Sequence, residues 1–235
     1  MSISKEKFNG QVAVITGAAS GIGKALALKL AHLGCNLALS DRNNEGLTDV
    51  KRQVEELGVN CLIQNFDVAD NQGFIDFAEK VFDKFGRADM LFNNAGVSLI
   101  DTVENQKMED FHWLMNINFW GVVYGSNAFL PYLKKSPQAH LVNVSSLFGL
   151  LSLPLQSAYN SSKFAVRGFT ESLKMEMVGT SVSVHCVHPG GIKTNITNNA
   201  KVSSPHVSKS KILEDFNKQA KTTAEQAAEE ILQGL

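Results

Sequence analysis

Six short apolar runs alternate with longer stretches of helical period along the chain. The runs Val12–Thr16, Asn36–Ser40, Asn60–Asn65, Ala88–Asn93, His140–Val144 and Ser183–His188 predict strands. Helical patterns fall between them at about 22–33, 43–57, 71–85, 107–134 and 157–178. In the first of these, Ile22, Leu26, Leu30 and Leu33 share one face, and Lys24 and Lys29 lie off it. Alternating strands and helices predict a parallel sheet with right-handed crossovers, hence a three-layer, doubly wound, Rossmann-like α/β fold. No Pro/Ser-rich linker and no compositional break divides the 235 residues, so a single domain is expected. Residues 191–223 are polar, weakly periodic and rich in Lys, Ser and Asn; this stretch is expected to form a mobile substrate loop.

Composition narrows the function classes. Hydrophobic residues make up 44% and charged residues 19%, too apolar for a disordered chain. The 22 basic and 23 acidic residues give a net charge of -1, which speaks against a nucleic-acid partner. The three cysteines, Cys35, Cys61 and Cys186, are odd in number and far apart, with no CxxC pair. That argues against a disulfide framework and a zinc site, and fits a reducing, cytoplasmic setting. The histidines show no paired spacing, so no metal is expected, and His188 before Pro189 reads as structural. The first ten residues carry no apolar core of the signal-peptide kind, and no uncharged run approaches the ~20 residues of a membrane span.

Two constellations carry chemistry. The first is the turn Thr16-Gly17-Ala18-Ala19-Ser20-Gly21-Ile22-Gly23, between the first strand and first helix. Glycines let backbone approach a pyrophosphate, and a helix N-terminus offers unpaired N–H groups to it. The GxxxGxG spacing differs from GxGxxG, and the turn is not a Walker loop because Ala25 follows Lys24 where Ser or Thr would hold magnesium. A plain strand-to-helix turn would also read this way. Asp41 ends the second strand, 24 residues after Gly17. It is either a turn acid or an acceptor for the adenosine-ribose hydroxyls.

The second constellation is Tyr159 and Lys163, four residues apart and so on one helix face. A free phenol titrates near ~10, and a nearby ammonium lowers that value toward general acid–base use. A surface Tyr–Lys pair has the same spacing. Ser146 lies 13 residues before Tyr159, just past the fifth strand, where it either caps the strand or donates to a substrate oxygen. No GxSxG elbow is present, which excludes the common serine-hydrolase arrangement.

With these pieces stand Asp67-Val68, Asn93-Asn94-Ala95-Gly96, Asn118-Phe119-Trp120-Gly121 and Pro189-Gly190. In this order and spacing the chain resembles the short-chain dehydrogenase/reductase family over nearly its whole length. The resemblance implies catalytic roles for Asn118, Ser146, Tyr159 and Lys163. Tyr159 is then the acid–base, Lys163 tunes it and bonds the nicotinamide ribose, Ser146 orients substrate, and the Asn118 backbone serves a proton relay. It implies that Gly17, Ser20, Gly21, Ile22 and Gly23 cradle the pyrophosphate, and that Asp41 meets the ribose. Asp67, Val68, Asn94, Ala95 and Gly96 fall on the adenosine side. Pro189, Gly190, Ile192 and Thr194, with Tyr159 and Lys163, fall at the nicotinamide end.

The expected reaction moves a hydride between a nicotinamide cofactor and a carbonyl or secondary alcohol, a small-molecule substrate. Asp41 favours NAD over NADP, whereas Arg42 beside it is able to hold a 2′-phosphate. An NADP-dependent 3-oxoacyl thioester reductase shares every motif named, and a non-catalytic nucleotide sensor could share the fold. Leu147 to Pro154, strongly apolar, is either a lipophilic pocket wall or packing against core or subunit. Phe111, Trp113 and Trp120 read as packing or interface. The resemblance implies a homodimer or homotetramer built on the two long helices. Two departures stand out: the extra Gly191 after Pro189-Gly190, expected to loosen that turn, and a sequence that stops at Leu235 after a helix, where family members usually add a seventh strand.

Overall fold

The computed structural model describes residues 3–202 and 208–235. Six parallel strands form the central sheet: β1 (Val12–Thr16), β2 (Asn36–Asp41), β3 (Cys61–Asn65), β4 (Met90–Asn93), β5 (Ala139–Val144) and β6 (Val182–Val187). Their order is β3-β2-β1-β4-β5-β6, so the direction of winding reverses between β1 and β4. β1, β4 and β5 are buried along their full length, as expected for strands covered on both faces.

One face is covered by α1 (Gly21–His32), α2 (Asn44–Glu55) and a C-terminal helix; the other by α3 (Asn71–Phe85), α5 (Gly121–Leu133) and α6 (Ser157–Glu176). Leu26 and Leu30 of α1 are fully buried against Leu37, Leu39 and Phe8. Phe77 and Phe129 meet edge to face, 5.7 Å between ring centres, and join α3 to α5 on the far side. Local chemistry sets the ends of α3: Asp70 accepts from Gln72 N at 3.0 Å, and Gly86 leaves it at φ 69°.

The predicted helix at 107–134 is continuous but not uniform. It comprises α4 (Met108–Met115), a π turn (Asn116–Trp120) and α5. The wider turn turns Asn118 inward, where its carboxamide bonds Val97 N at 2.8 Å and Val97 O at 2.9 Å. Within 191–223 the described residues form β7 (Ile192–Lys193), α7 (Lys209–Gln219) and β8 (Thr222–Thr223). Residues 203–207 of the expected loop lie outside the described residues. α8 (Ala224–Gln233) starts with a reciprocal Thr223–Gln226 cap and packs on α1.

Candidate active site

A cleft of about 1070 Å³ opens beyond the carboxyl ends of the strands, where the winding reverses. Its first wall is the glycine turn. Gly17 has φ 66°, and a Cβ there would stand 2.8 Å from Ala95 Cα. A Cβ on Gly23 would collide with the Gly17 carbonyl, so Gly23 closes the turn from behind and does not line the cleft. Gly17, Ser20, Gly21 and Ile22 do line it. Ser20 makes no side-chain cap, so the first N–H groups of α1 carry no side-chain partner. Asn94 fastens the turn to β4, donating through its backbone to Thr16 Oγ1 (3.0 Å) and through Nδ2 to Thr16 O (2.9 Å).

Asp41 closes one end. Its Oδ2 accepts from Ala19 N at 3.0 Å and its Oδ1 from Asn43 N at 2.9 Å, which aims the carboxylate at the glycine turn. Asp67 and Val68, then Asn94, Ala95 and Gly96, continue this wall. Pro189, Gly190, Ile192 and Thr194 form the opposite one. Gly191 is not loose: a Cβ there would meet Ala220 Cα at 3.2 Å, so its backbone packs against the end of α7.

At the other end, α6 presents Tyr159 and Lys163 to the cleft beside Ser146. Ser146 Oγ accepts from Phe148 N at 3.1 Å and lies beside the Tyr159 phenol, whose pKa it lowers. Lys163 Nζ donates to Val144 O at 2.9 Å and stands 5.7 Å from the centre of the Tyr159 ring. Lys163 is only 3% exposed, and burial brings its pKa down to about 8. The Tyr159 phenol moves the other way: burial pushes it up, and the Ser146 hydroxyl opposes that rise. The ammonium was expected to lower the phenol; in this structure the phenol is raised, and the group that pulls it down is Ser146. Asn118 does not line the cleft. It is fully buried behind the site, also bonded to Ser162 Oγ at 3.2 Å. A Cβ on Gly96 would be 3.3 Å from Asn118 Oδ1 and 3.6 Å from Lys163 Nζ, so Gly96 keeps this corner open.

Several lining residues lie outside the motifs, and the choice left open for 147–154 is decided here. Leu147, Phe148, Leu151 and Leu153 line the cleft, which makes the apolar stretch a pocket wall. Trp113, read as packing or interface, also lines it, with the Lys201 ammonium 3.9 Å above its ring and bonded to Asp110. Ile212 and Phe216 reach in from α7. No motif marks these positions, because an apolar side chain facing a cleft looks like one facing a core. His188 braces the site from outside, its Nδ1 3.0 Å from Ser146 O.

The family model described as short chain dehydrogenase matches residues 11–204. The chain belongs to the short chain dehydrogenase family. It is 47% identical over 198 residues to the oxidoreductase SadH of Mycobacterium tuberculosis, covering 83% of this chain and 72% of the relative. Among solved structures it is similar to a short chain dehydrogenase/reductase from Burkholderia phymatum in complex with NAD. That likeness has a TM-score of 0.87 and 31% identity, over 94% of this chain and 84% of the other. An alcohol dehydrogenase from the archaeon Thermococcus sibiricus, complexed with 5-hydroxy-NADP, aligns with a TM-score of 0.82 and 28% identity over 94% of this chain and 88% of the other.

Proposed function

We propose that the protein is an NAD-dependent oxidoreductase acting on a carbonyl or secondary alcohol with a largely apolar body. The observation that carries this reading is that Ser146, Tyr159 and Lys163 line one cleft that begins at the glycine turn, with the Lys163 ammonium 5.7 Å from the centre of the phenol ring. The cradle fits a dinucleotide: Gly17 and Gly21 line the cleft without side chains, and Gly23 lets the turn close tightly behind them. When bound, the nicotinamide supplies the hydride chemistry.

The chain's own residues do the rest. In the reducing direction the neutral Tyr159 phenol gives its proton to the substrate oxygen, and Ser146 donates a hydrogen bond to that oxygen. The Lys163 ammonium favours the phenolate left behind. Asn118 holds the loop at Val97 and fixes the corner beside Lys163. Leu147, Leu151, Leu153 and Phe216 exclude water from the substrate's apolar body. We assign 191–223 as the segment that closes over substrate, with α7 as its inner face. Preference for NAD rests on Asp41, whose carboxylate would repel a 2′-phosphate.

Two further parts of this reading have their own support. A homodimer or homotetramer through α5 and α6 is supported by the exposed Trp120 and Phe164. A cytoplasmic setting is supported by three free cysteines. Among the described residues no helix is long and apolar enough to cross a membrane.

The test is Tyr159→Phe, with reduction followed by NADH absorbance and cofactor binding by fluorescence titration. Turnover is expected to be lost with NAD still bound; wild-type-like turnover would end the assignment. Tighter binding of NADP than of NAD to the wild type would overturn the cofactor preference.

A further inference from the structure

One wall of the cleft holds a polar arrangement that the proton chemistry does not use. Gln156 lines the cleft one helical turn before Tyr159, at the N-cap of α6, where its side chain makes no cap bond. Its Oε1 is buried and has no hydrogen-bond partner. Asp101 is fully buried; its Oδ1 accepts from Thr102 N at 2.8 Å, and its Oδ2 has no partner. These two residues are paired in one parallel bridge, with Asp101 N donating to Leu155 O at 2.9 Å. Pairing in a bridge sends both side chains to the same side. Leu155, which precedes Gln156 and accepts the Asp101 N–H, is held at φ 65°, the one non-glycine residue in the left-handed region among those described.

A carboxylate and an amide oxygen are both acceptors, so neither can satisfy the other. The other end of the carboxamide differs only in being a donor. Turned end for end, Nε2 donates to Asp101 Oδ2, and Oε1 faces the cleft. Asp101 Oδ2, as an acceptor, selects that orientation and fixes which end of Gln156 the ligand meets.

We propose that Gln156, oriented by Asp101, is a specificity-determining acceptor, and that the preferred substrates carry a hydroxyl donor besides the oxygen that reacts. This rests on the oxidoreductase reading above and narrows its substrate class to apolar hydroxy-ketones and the corresponding diols. Asp101 is a positioning residue that touches no ligand.

Matched ketones differing only by hydroxyl against methyl test it: α-hydroxyacetophenone with propiophenone, and, one carbon longer, β-hydroxypropiophenone with butyrophenone. Dissociation constants are measured by NMR titration in the presence of NAD, and kcat/KM in the presence of NADH. The wild type is expected to prefer the hydroxyl member of at least one pair by about tenfold or more, since a buried acceptor left unpaired is costly. Gln156→Met, of similar length without the acceptor, brings that ratio to within about twofold of one. Asp101→Asn, whose amide pairs with either end of Gln156, lowers the ratio mainly through KM. Equal affinities within both pairs for the wild type overturn the proposal, as does an undiminished ratio in Gln156→Met. Should Gln156→Met not fold, the wild-type ratio and Asp101→Asn still decide. Failure to turn over any ketone counts against hydride transfer alone, because the binding ratio is read independently.

Discussion

Replacing Lys163 by Met should make the cofactor-free protein more stable at neutral pH while removing its activity. Lys163 is 3% exposed, and its pKa falls from 10.5 to about 8 because burial disfavours the ammonium. A drop of roughly 2.5 units corresponds to about 3 kcal/mol of destabilisation wherever the unfolded lysine is charged and the folded one must be charged too. The sign follows from proton uptake. Between pH 8 and 10.5 the unfolded chain binds more protons at this residue than the folded one, so its contribution to stability rises across that window. Below pH 8 the full penalty is present. The variant escapes it but loses the Nζ–Val144 O bond, 2.9 Å long, a loss of roughly 1–3 kcal/mol for a charged donor. Lys163→Met should therefore exceed the wild type by up to about 2 kcal/mol at pH 7, and the difference should shrink by about 3 kcal/mol, reversing sign, by pH 10.5. The assay is denaturant unfolding of both proteins, without cofactor, at half-unit steps. Buried Cys35 and Cys61 titrate on the alkaline side and lower stability there, but they are common to both proteins and cancel in the difference; half-buried Cys186 feels the charge of Lys163, so Cys186→Ser is placed in both backgrounds. Parallel pH profiles for the two proteins would refute the reasoning.

The glycine turn and the far end of the sheet give two more tests. Gly17→Ala places a methyl 2.8 Å from Ala95 Cα at φ 66°; NAD affinity measured by fluorescence should fall at least about tenfold, and the thermal midpoint should drop. His140, 3.1 Å from His185 across β5 and β6, is lowered to about 4 by burial first and by His185 second. The unfolded state then binds more protons between pH 6.5 and 4, so stability falls on acidification through that window, and His140→Gln should flatten the fall in a pH-dependent unfolding series.

The strands, the doubly wound fold and the candidate site residues could be read from the chain because they are written in local patterns. Apolar runs such as Val12–Thr16 mark buried strands, and the glycine turn, Asp41, Asp67, Asn94, Ser146 and Pro189 lie at or just past their carboxyl ends, whereas Tyr159 and Lys163 ride on α6. What escaped depends on contacts between distant segments. The π turn at Asn116–Trp120 keeps a helical hydrophobic pattern, so nothing local separates it from α4 and α5. Trp113 shares its environment with Lys201, nearly ninety residues away, and only folding brings them together. The Asp101–Gln156 bridge joins two irregular segments that carry no period at all. α7 buries little of its polar sequence, so its Ile212 and Phe216 could not be placed at a cleft before the fold was known.

Beneath the cleft, Asn93 Nδ2 donates to Asn143 Oδ1 at 2.8 Å, and Asn143 Nδ2 donates to Thr170 Oγ1 at 3.0 Å. This chain of amides rivets α6 to β4 and β5, so the phenol and the shelf next to the glycine turn travel as one rigid block. The apolar wall at 147–153 and α7 stand outside that block. A change of diet for this enzyme can therefore be written in those two segments alone, with the proton-handling hardware left untouched beneath them.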